Sequence, residues 1–399
     1  MPTKLRIAIM SDLHAAPKGG DAASGEVKLF SDDAGSANTA HPMKGLHALI
    51  KSNGLRADFV LCPGDMTNKA SSTALNYVWA GLHEVRDLMC AKSVLATVGN
   101  HDVDSRGHAD DAFPREALMK LEPPFPAGDE HLSDKYWAHG YYIQDFDIGA
   151  AGSVRFLVLN SCWLHEARDE LHRGVLTTYT LERIKEELTG LPKAKVNIAV
   201  CHHHPHSHSE LGLGADDVIK NGQSLLDILA ERDHWLVVHG HKHHAKVEYA
   251  KGQVFQAVVF AAGSFSGRLE GSNNLVSKNH FHVVEIDCDR SELAGRITSW
   301  SWVPGVGWEQ SSSGNKMGFP CKTGFGYRGE IAALATSVVS SLGTASVMKW
   351  PSLQLSTPEV QHLMPKQFSA LTQCLHDDHG VKILFDDLGQ PEQIGRVAV

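Results

Sequence analysis

The chain has 399 residues, a net charge of −9 and an apolar fraction of 42%, a composition typical of globular proteins. This length exceeds one small core and predicts a large α/β domain with an extension. The negative charge offers no general basic field for a nucleic-acid backbone, so a long nucleic acid is a disfavoured partner. A nucleotide-sized substrate stays open, because bound metal ions would make a site locally positive.

The seven cysteines are odd in number and widely spaced, and several lie inside apolar strand-like runs. They are predicted to be small buried residues in a reducing compartment rather than members of disulfides. The first residues lead directly into an apolar strand, with no signal-peptide core and no apolar stretch long enough to cross a bilayer. We therefore expect a cytoplasmic protein with no membrane partner.

The first half of the chain alternates predicted strands with predicted helices. Apolar β-branched runs indicate strands, and apolar residues at helical spacing indicate helices. In chain order the strands are expected at 5–10, 58–62, 94–98, 155–160, 196–201 and 235–239, and the helices at 43–52, 71–91, 179–189 and 222–232. Two polar stretches, 15–42 and 103–140, are predicted to be loop insertions.

The second half begins with strands that no helix separates, at 253–262, 280–287 and 295–302. A parallel first half followed by antiparallel strands favours two mixed sheets packed together with helices outside. We place the main domain at 1–305. The remainder, 306–399, is predicted to be a Gly/Ser-rich linker and a small, mainly helical accessory subdomain. The sequence does not identify the role of this region, and a protein partner that binds through it is left open.

Five short polar segments follow predicted strands: Asp12-Leu13-His14, Gly64-Asp65, Gly99-Asn100-His101-Asp102, His203-His204-Pro205 and Gly240-His241-Lys242-His243. Each segment therefore lies on the loop that leaves a strand's carboxyl end. Carboxylates, imidazoles and an amide oxygen are the ligands that two adjacent divalent ions need, and such pairs of ions hydrolyse phosphate esters. Any one of these motifs is a weak signal, whereas all five in this order do not arise readily by chance.

The spacing suggests how the ligands divide between two ions. Asp12 and His14 lie two residues apart, so in an extended segment they point to the same side and can grip one ion. Asp65, at a tight turn, is the candidate carboxylate bridge. His241 and His243 share the two-residue spacing and could divide between the ions. Mixed nitrogen and oxygen ligation suits Mn, Fe, Zn, Co or Ni better than Ca.

In this order the motifs resemble those of the calcineurin-like metallophosphoesterases, over residues 4–305. The resemblance implies a four-layer αββα sandwich of two mixed sheets flanked by helices, with a small C-terminal extension and the metals at the carboxyl ends of the strands. It implies that one ion is held by Asp12, His14, Asp65 and His243, and the other by Asp65, Asn100, His203 and His241.

One ligand of the second ion is ambiguous, because the tract from Cys201 to Pro205 contains three consecutive histidines. The family pattern places the ligand two residues before the proline, which gives His203. His202 or His204 would take that role if the strand ended one residue differently. The two histidines left over would then lie at the rim of the site or behind its ligands.

The catalytic roles are assigned to the Gly-Asn-His-Asp segment. The resemblance implies that His101 donates a proton to the departing alkoxide, a contribution of typically ~10²–10⁴-fold. Asp102 could orient His101 or a ligand, and a role as a loop or helix cap is an equal alternative. Asn100, His101 and His204 are predicted to contact the substrate. The attacking group would be a hydroxide generated at the metal ions, in line with the leaving oxygen.

The flanking residues favour one subgroup. Residues 64–68 lack the GDxVDRG pattern of the Ser/Thr protein phosphatases, and GNHD replaces their GNHE. The stretch 159–176, followed by a helix and then HHP, resembles the cyclic-nucleotide and glycerophosphodiester phosphodiesterase branch. The predicted function is hydrolysis of a cyclic nucleotide or other small phosphodiester. The alternatives are a nuclease, a phosphomonoesterase, or a non-catalytic scaffold of the same fold; the scaffold is disfavoured because such proteins lose ligands that this chain retains.

Overall fold

Two mixed β-sheets form the centre of the computed structural model. The first sheet runs in the order β12 (Gly307–Gln310), β11 (Gly295–Val303), β10 (His280–Asp287), β1 (Lys4–Ile9), β2 (Phe59–Cys62) and β3 (Ser93–Ala96), and β13 (Lys322–Phe325) also pairs with β11. The second sheet runs in the order β4 (Tyr141–Asp147), β5 (Ser153–Leu159), β6 (Val196–Val200), β7 (Trp235–His239), β9 (Val258–Ala262) and β8 (Ala245–Tyr249).

The structure describes the chain outside nine short segments. These segments are 1–2, 20–27, 104–113, 166–172, 208–216, 253–254, 268–277, 313–318 and 398–399. The predicted loop insertions 15–42 and 103–140 therefore lie partly outside the described residues. Within the described part of the chain, no helix combines the length and the apolar character that a membrane span requires.

Each sheet contains a run of parallel strands. In the first sheet β1, β2 and β3 are parallel, and in the second β5, β6, β7 and β9 are parallel. The later strands β10 and β11 and the edge strands β4 and β8 pair antiparallel. Because the carboxyl ends of parallel strands meet at one edge, the loops leaving β1, β2, β3, β6 and β7 share one end of the molecule.

The sheets pack face to face, with helices on their outer faces. Phe59 of β2 lies 4.9 Å from Phe156 of β5, measured between ring centroids, which joins the two sheets. The helices of the main domain are α1 (Pro42–Asn53), α2 (Ser72–Met89), α3 (Pro114–Met119), α4 (Glu130–His139), α5 (Thr178–Gly190) and α6 (Gly222–Ala230). Their buried apolar stripes join the cores on either side of the sheets. The predicted four-layer αββα sandwich is thereby confirmed.

Residues beyond 305 take two different structures. β12 and β13 add to the first sheet, so 307–310 and 322–325 are part of that sheet rather than the predicted linker. The extension beyond them consists of α7 (Ile331–Leu342), β14 (Val347–Lys349), α8 (Trp350–Ser356), α9 (Pro365–His379), β15 (Val381–Phe385) and β16 (Pro391–Arg396). It has its own apolar core, and its helices pack with a small three-stranded sheet that the sequence did not predict. The domain boundary at 305 stays a prediction.

Several elements do not follow from the sequence pattern. The predicted irregular insertion at 103–140 contains the helices α3 and α4, and the edge strands β4 and β8 were not expected. Neither edge strand has a regular alternation of buried and exposed residues, so the sequence pattern does not mark them as strands. Partners on the neighbouring strand, rather than local propensity, fix them in the sheet.

Candidate metal centre

The predicted ligands lie on loops that directly follow β1, β2, β3, β6 and β7, and much of this backbone is in an unfavourable conformation. The left-handed φ angles are 52° at Asp12, 47° at His14, 51° at Asp65, 80° at His241 and 57° at His243. The described chain has eight non-glycine residues with positive φ, so these ligands are most of them. Such conformations cost on the order of 1–2 kcal/mol each and persist where the surrounding structure enforces a functional placement.

Two glycines make room for this convergence. A Cβ on Gly99 would lie 2.1 Å from the backbone nitrogen and from Oδ1 of Asp65. A Cβ on Gly240 would lie 2.2 Å from Oδ2 of Asp12. Both positions therefore require glycine if the loops leaving β3 and β7 are to reach the two carboxylates. The backbone N–H of His241 then donates to Oδ1 of Asp12 at 2.9 Å.

The first group of ligand atoms belongs to Asp12, His14 and His243. Nε2 of His243 lies 3.3 Å from Oδ1 of Asp12 and 2.9 Å from Nε2 of His14. Two imidazole nitrogens at this separation must share either a proton or a cation between them. A divalent ion among these three residues would satisfy both nitrogens and the carboxylate at once, so the donor set fits the predicted first ion.

The second group belongs to Asp65, His202 and His241, with Asn100 among them. Oδ1 of Asn100 lies 3.0 Å from Nε2 of His202 and 3.0 Å from Nδ1 of His241. The two ring nitrogens are 3.3 Å apart. An amide oxygen with two imidazoles and a carboxylate again forms a donor set suited to a transition-metal ion.

Asp65 connects the two groups. Its Oδ2 lies 3.6 Å from Nε2 of His14 in the first group and 3.3 Å from Nε2 of His202 in the second. Its Oδ1 accepts a hydrogen bond from the backbone N–H of His101 at 2.8 Å. The carboxylate is 1% exposed, so the protein rather than solvent fixes its orientation. This is the position that a bridging ligand would occupy.

The protonation states suit metal binding. Burial by itself would raise the pKa of Asp65, but the charges of His202 and His101 outweigh burial and hold that pKa well below its usual value. Burial, followed by the charge of His101, lowers the pKa of His14. Burial, followed by the charge of His202, lowers the pKa of His241. An ionised carboxylate and neutral imidazoles are the forms that bind metal ions. His202 differs: burial by itself would lower its pKa, but the charge of Asp65 outweighs burial and raises it to about 9, so this ring must lose a proton when a metal ion binds.

The structure places His202, the alternative left open by the sequence, in the second group and turns the predicted ligand His203 away from it. His202 is fully buried, and its Nδ1 lies 2.9 Å from the carbonyl oxygen of Pro63, which aims Nε2 at Asp65 and Asn100. The ring of His203 turns instead toward Ser161, with Nδ1 2.9 Å from its hydroxyl. Strand β6 ends at Val200, which sets the first histidine of the tract at the site.

His204, the third histidine of that tract, was predicted to contact substrate. The structure buries it to 1% exposure against His239, with ring centroids 4.3 Å apart. It packs behind the second group of ligands, since its ring centroid lies 6.1 Å from that of His241. This position makes His204 a packing residue in the described structure, and its contact with substrate stays a prediction.

His101 and Asp102 have different surroundings. The ring of His101 lies beside the first group, 4.7 Å from the ring of His14, and its Nδ1 is 3.1 Å from Oδ1 of Asn68. The carboxylate of Asp102 accepts the backbone N–H groups of Thr67 at 2.8 Å and Gly99 at 2.9 Å. Asp102 thus ties the loops after β2 and β3 together, as expected of a loop cap, which was one of the two alternatives that the sequence offered; its place among the catalytic residues stays a prediction.

Three supporting residues were not assigned such roles from the sequence. Asn68 holds His101, and Ser264 Oγ donates to the carbonyl oxygen of Asp12 at 2.7 Å. Asp217 lies 3.7 Å from Nε2 of His241 and forms an ion pair with Lys242 at 2.5 Å. Asn68 follows the Gly-Asp motif and Ser264 follows a strand. Their positions just after strands could therefore have marked them as residues near the site. Asp217 had no local signal.

Comparison with known proteins agrees with this centre. A family model described as calcineurin-like phosphoesterase matches residues 5–245, and the chain belongs to that family. The two ligand groups fit the dinuclear centre that the family uses. No curated protein matches the sequence.

Solved structures resemble the chain more distantly. The purple acid phosphatase PPD1 from yellow lupin (Lupinus luteus) seeds is 13% identical, with 77% of this chain and 53% of that chain covered and a TM-score of 0.45. The 5'-nucleotidase precursor from Thermus thermophilus is 12% identical, with coverages of 76% and 56% and a TM-score of 0.40. The NAD nucleotidase from Haemophilus influenzae is 12% identical, with coverages of 77% and 53% and a TM-score of 0.35. The chain spans about half the length of each of these proteins.

Proposed function

We propose that this protein is a dinuclear metal-dependent phosphodiesterase that hydrolyses a small diester such as a cyclic nucleotide. The observation that carries the proposal is the convergence of two ligand groups on one shared carboxylate, Asp65, with the ring of His101 alongside. A carboxylate shared by two ions and a histidine next to them are the parts that in-line phosphoester hydrolysis requires.

The ligands divide between two ions. Asp12, His14, Asp65 and His243 would hold one ion, and Asp65, Asn100, His202 and His241 would hold the other. When bound, such a pair of ions neutralises charge on the phosphoryl oxygens and supplies a nucleophile at neutral pH. Mn, Fe, Zn, Co and Ni all suit this mixture of nitrogen and oxygen donors.

His101 supplies the proton for the leaving oxygen. The amide oxygen of Asn68 only accepts hydrogen bonds, so the contact at 3.1 Å assigns a proton to Nδ1 of His101. Nε2 is then the atom that faces the reacting group, and it donates once the ring carries a second proton. Asn68 also fixes the plane of the ring, so the ring is already oriented for proton transfer when the substrate binds.

The charge of the substrate supports a diester over a monoester. A diester carries one negative charge near neutral pH, whereas a monoester carries nearly two, so a monoester demands more positive counter-charge. The partner of His101 is a neutral amide, and the sequence around residues 64–68 and 159–176 resembles the diesterase branch rather than the protein phosphatases. A small diester also suits a chain with a net charge of −9, which does not attract a long nucleic acid.

A substrate panel tests the proposal. The metal-free protein is reconstituted with Mn²⁺ and incubated with bis-p-nitrophenyl phosphate, p-nitrophenyl phosphate, cyclic AMP and single-stranded DNA. We expect the diester dye and cyclic AMP to be turned over fastest. Faster hydrolysis of the monoester dye or cleavage of DNA would favour the alternatives, and no hydrolysis of any member would contradict the enzymatic assignment.

A matched pair of variants links the turnover to the site. Asp65→Asn removes the shared carboxylate, and Asp58→Asn makes the same change at a partly exposed carboxylate that accepts the backbone N–H of Arg6. We expect Asp65→Asn to abolish turnover of the preferred substrate and to lower the bound manganese, while Asp58→Asn retains both. Equal turnover in the two variants would show that the hydrolysis arises elsewhere.

A further inference from the structure

A second cluster of potential metal ligands lies outside the centre described above. Cys162 and His165 follow strand β5, and His203 follows strand β6. Each of the three offers a ligand atom, and these atoms all lie within 4.8 Å of one another. None of the three belongs to the two ligand groups around Asp65, so the proposed hydrolysis makes no use of them.

The three side chains are buried and oriented toward each other. Cys162 is 1% exposed, His165 is 8% exposed and His203 is fully buried. Sγ of Cys162 lies 3.8 Å from Nδ1 of His203, and the rings of His165 and His203 stack with centroids 5.0 Å apart. Tetrahedral bonds of about 2.3 Å to sulfur and 2.0 Å to nitrogen would separate two ligand atoms by roughly 3.5 Å, so three ligand atoms within 4.8 Å of one another come within reach of one ion after a small side-chain adjustment.

His203 has binding capacity that the described protein does not use. Ser161 Oγ contacts Nδ1 at 2.9 Å and accepts the backbone N–H of His203 at 3.1 Å, which fixes the ring. Nε2 is buried and has no hydrogen-bond partner among the described residues. Leaving a buried polar atom without a partner is unfavourable, so such an atom in a native site indicates room for a ligand.

The donor atoms differ in kind from those of the dinuclear centre. The centre around Asp65 combines carboxylate and amide oxygens with imidazoles, whereas this cluster combines one sulfur with two imidazoles. Thiolate and imidazole together select a borderline-soft ion such as Zn²⁺, and three protein ligands leave a fourth tetrahedral position for water or another small ligand.

We propose that Cys162, His165 and His203 form a third metal site for a Zn²⁺-class ion, separate from the dinuclear centre. Binding exchanges the thiol proton of Cys162 for a metal–sulfur bond and releases that proton to solvent. The ring of His203 lies 5.1 Å from that of His202 and 4.5 Å from that of His241, between centroids. An ion here therefore fixes the loops after β5 and β6 directly behind two ligands of the second ion, as an outer support for them.

Cobalt substitution tests the site through its sulfur. The full-length protein is stripped of metal and titrated with Co²⁺ while the absorption spectrum is recorded. A thiolate bound to Co²⁺ gives a near-ultraviolet charge-transfer band that oxygen and nitrogen ligands do not give, so the band reports a cysteine ligand, and the Cys162→Ser variant identifies which of the seven cysteines supplies it. We expect the band in the wild-type protein and its loss when excess Zn²⁺ displaces the cobalt.

Three variants decide the assignment. Cys162→Ser should abolish the band and lower bound cobalt by one ion per chain, and His165→Gln should weaken the band or shift it. Cys288→Ser, at a buried cysteine beside the end of β10, is the matched control and should retain the band. If Cys162→Ser fails to fold by circular dichroism, His165→Gln decides, because an unchanged band in that variant overturns the proposal. The absence of a band from cobalt-loaded wild-type protein also overturns it.

Discussion

Replacing His202 by asparagine tests whether the second ion is held by His202, as the structure indicates, or by His203, as the sequence pattern favoured. His202 is fully buried, and its Nε2 lies 3.3 Å from Oδ2 of Asp65 and 3.0 Å from Oδ1 of Asn100. The substitution removes an imidazole that contacts both a carboxylate and an amide in the second ligand group. The matched variant is His203→Asn, which makes the same change one residue along the chain.

The magnitude follows from what each ring contacts. Removing one partner of a buried charged pair costs about 3–5 kcal/mol, and His14 still neighbours Asp65, so we expect a loss near the lower end, about 3 kcal/mol, in the metal-free protein. The loss of an outer partner of a metal site lowers affinity ~10–100-fold, so the loss of a ligand should exceed ~100-fold for manganese. His203→Asn removes the ring's hydrogen bond to Ser161, which is worth about 1 kcal/mol.

Two assays measure these effects. Urea unfolding of the metal-free proteins gives the free energy of unfolding, and turnover against Mn²⁺ concentration gives the activation midpoint for the preferred substrate. We expect His202→Asn to shift the midpoint far more than His203→Asn does. A larger shift in His203→Asn, or an unchanged midpoint in His202→Asn, would refute the assignment of His202 and restore the choice made from the sequence pattern.

Two further substitutions and one pH dependence test the same loops. Gly99→Ala should cost about 1–3 kcal/mol of stability and lower metal content, because the new methyl would lie 2.1 Å from Asp65; urea unfolding and metal analysis measure both effects. Asn68→Ala should lower kcat about 10-fold with little change in KM, less than the ~10²–10⁴-fold expected on removal of the His101 ring, as steady-state kinetics will show. The third prediction concerns pH. In the metal-free protein, burial lowers the pKa of His202, but the charge of Asp65 outweighs burial and raises that pKa to about 9. The stabilisation from this pair is therefore complete below pH 6.5 and is lost as the pH rises through 9, and thermal unfolding across that window measures the loss.

Each of these predictions has a control variant or a result that would contradict it. Gly35→Ala places its methyl where no heavy atom lies within 4 Å, so equal losses in Gly35→Ala and Gly99→Ala would contradict the steric explanation. For Asn68→Ala, a change confined to KM would indicate a substrate contact rather than the positioning of His101. For the pH dependence, the variant His202→Asn should flatten the decline, and an identical decline in that variant would assign it to other groups.

Much of the site could be predicted because its signals are local. Asp12 and His14 follow an apolar strand at a spacing that brings two ligands to one ion, and Asn100 and His101 follow another strand in the same way. The structure brings these residues together as expected. Residues without a local sequence pattern were not predicted. Asp217 is an example, since it lies 3.7 Å from His241 but far from it in the sequence.

The sequence by itself determined the order of strands and motifs, the types of ligand and the convergence of the loops at one end of the sheets. These depend on apolar periodicity and on the rule that parallel strands align their carboxyl ends, which act within short stretches of chain. Only the tertiary structure decided between His202 and His203, because the choice depends on where β6 ends and on which ring Pro63 and Ser161 hold in place. A shift of one residue along an extended strand reverses the direction of a side chain, and the sequence around three consecutive histidines does not fix that shift.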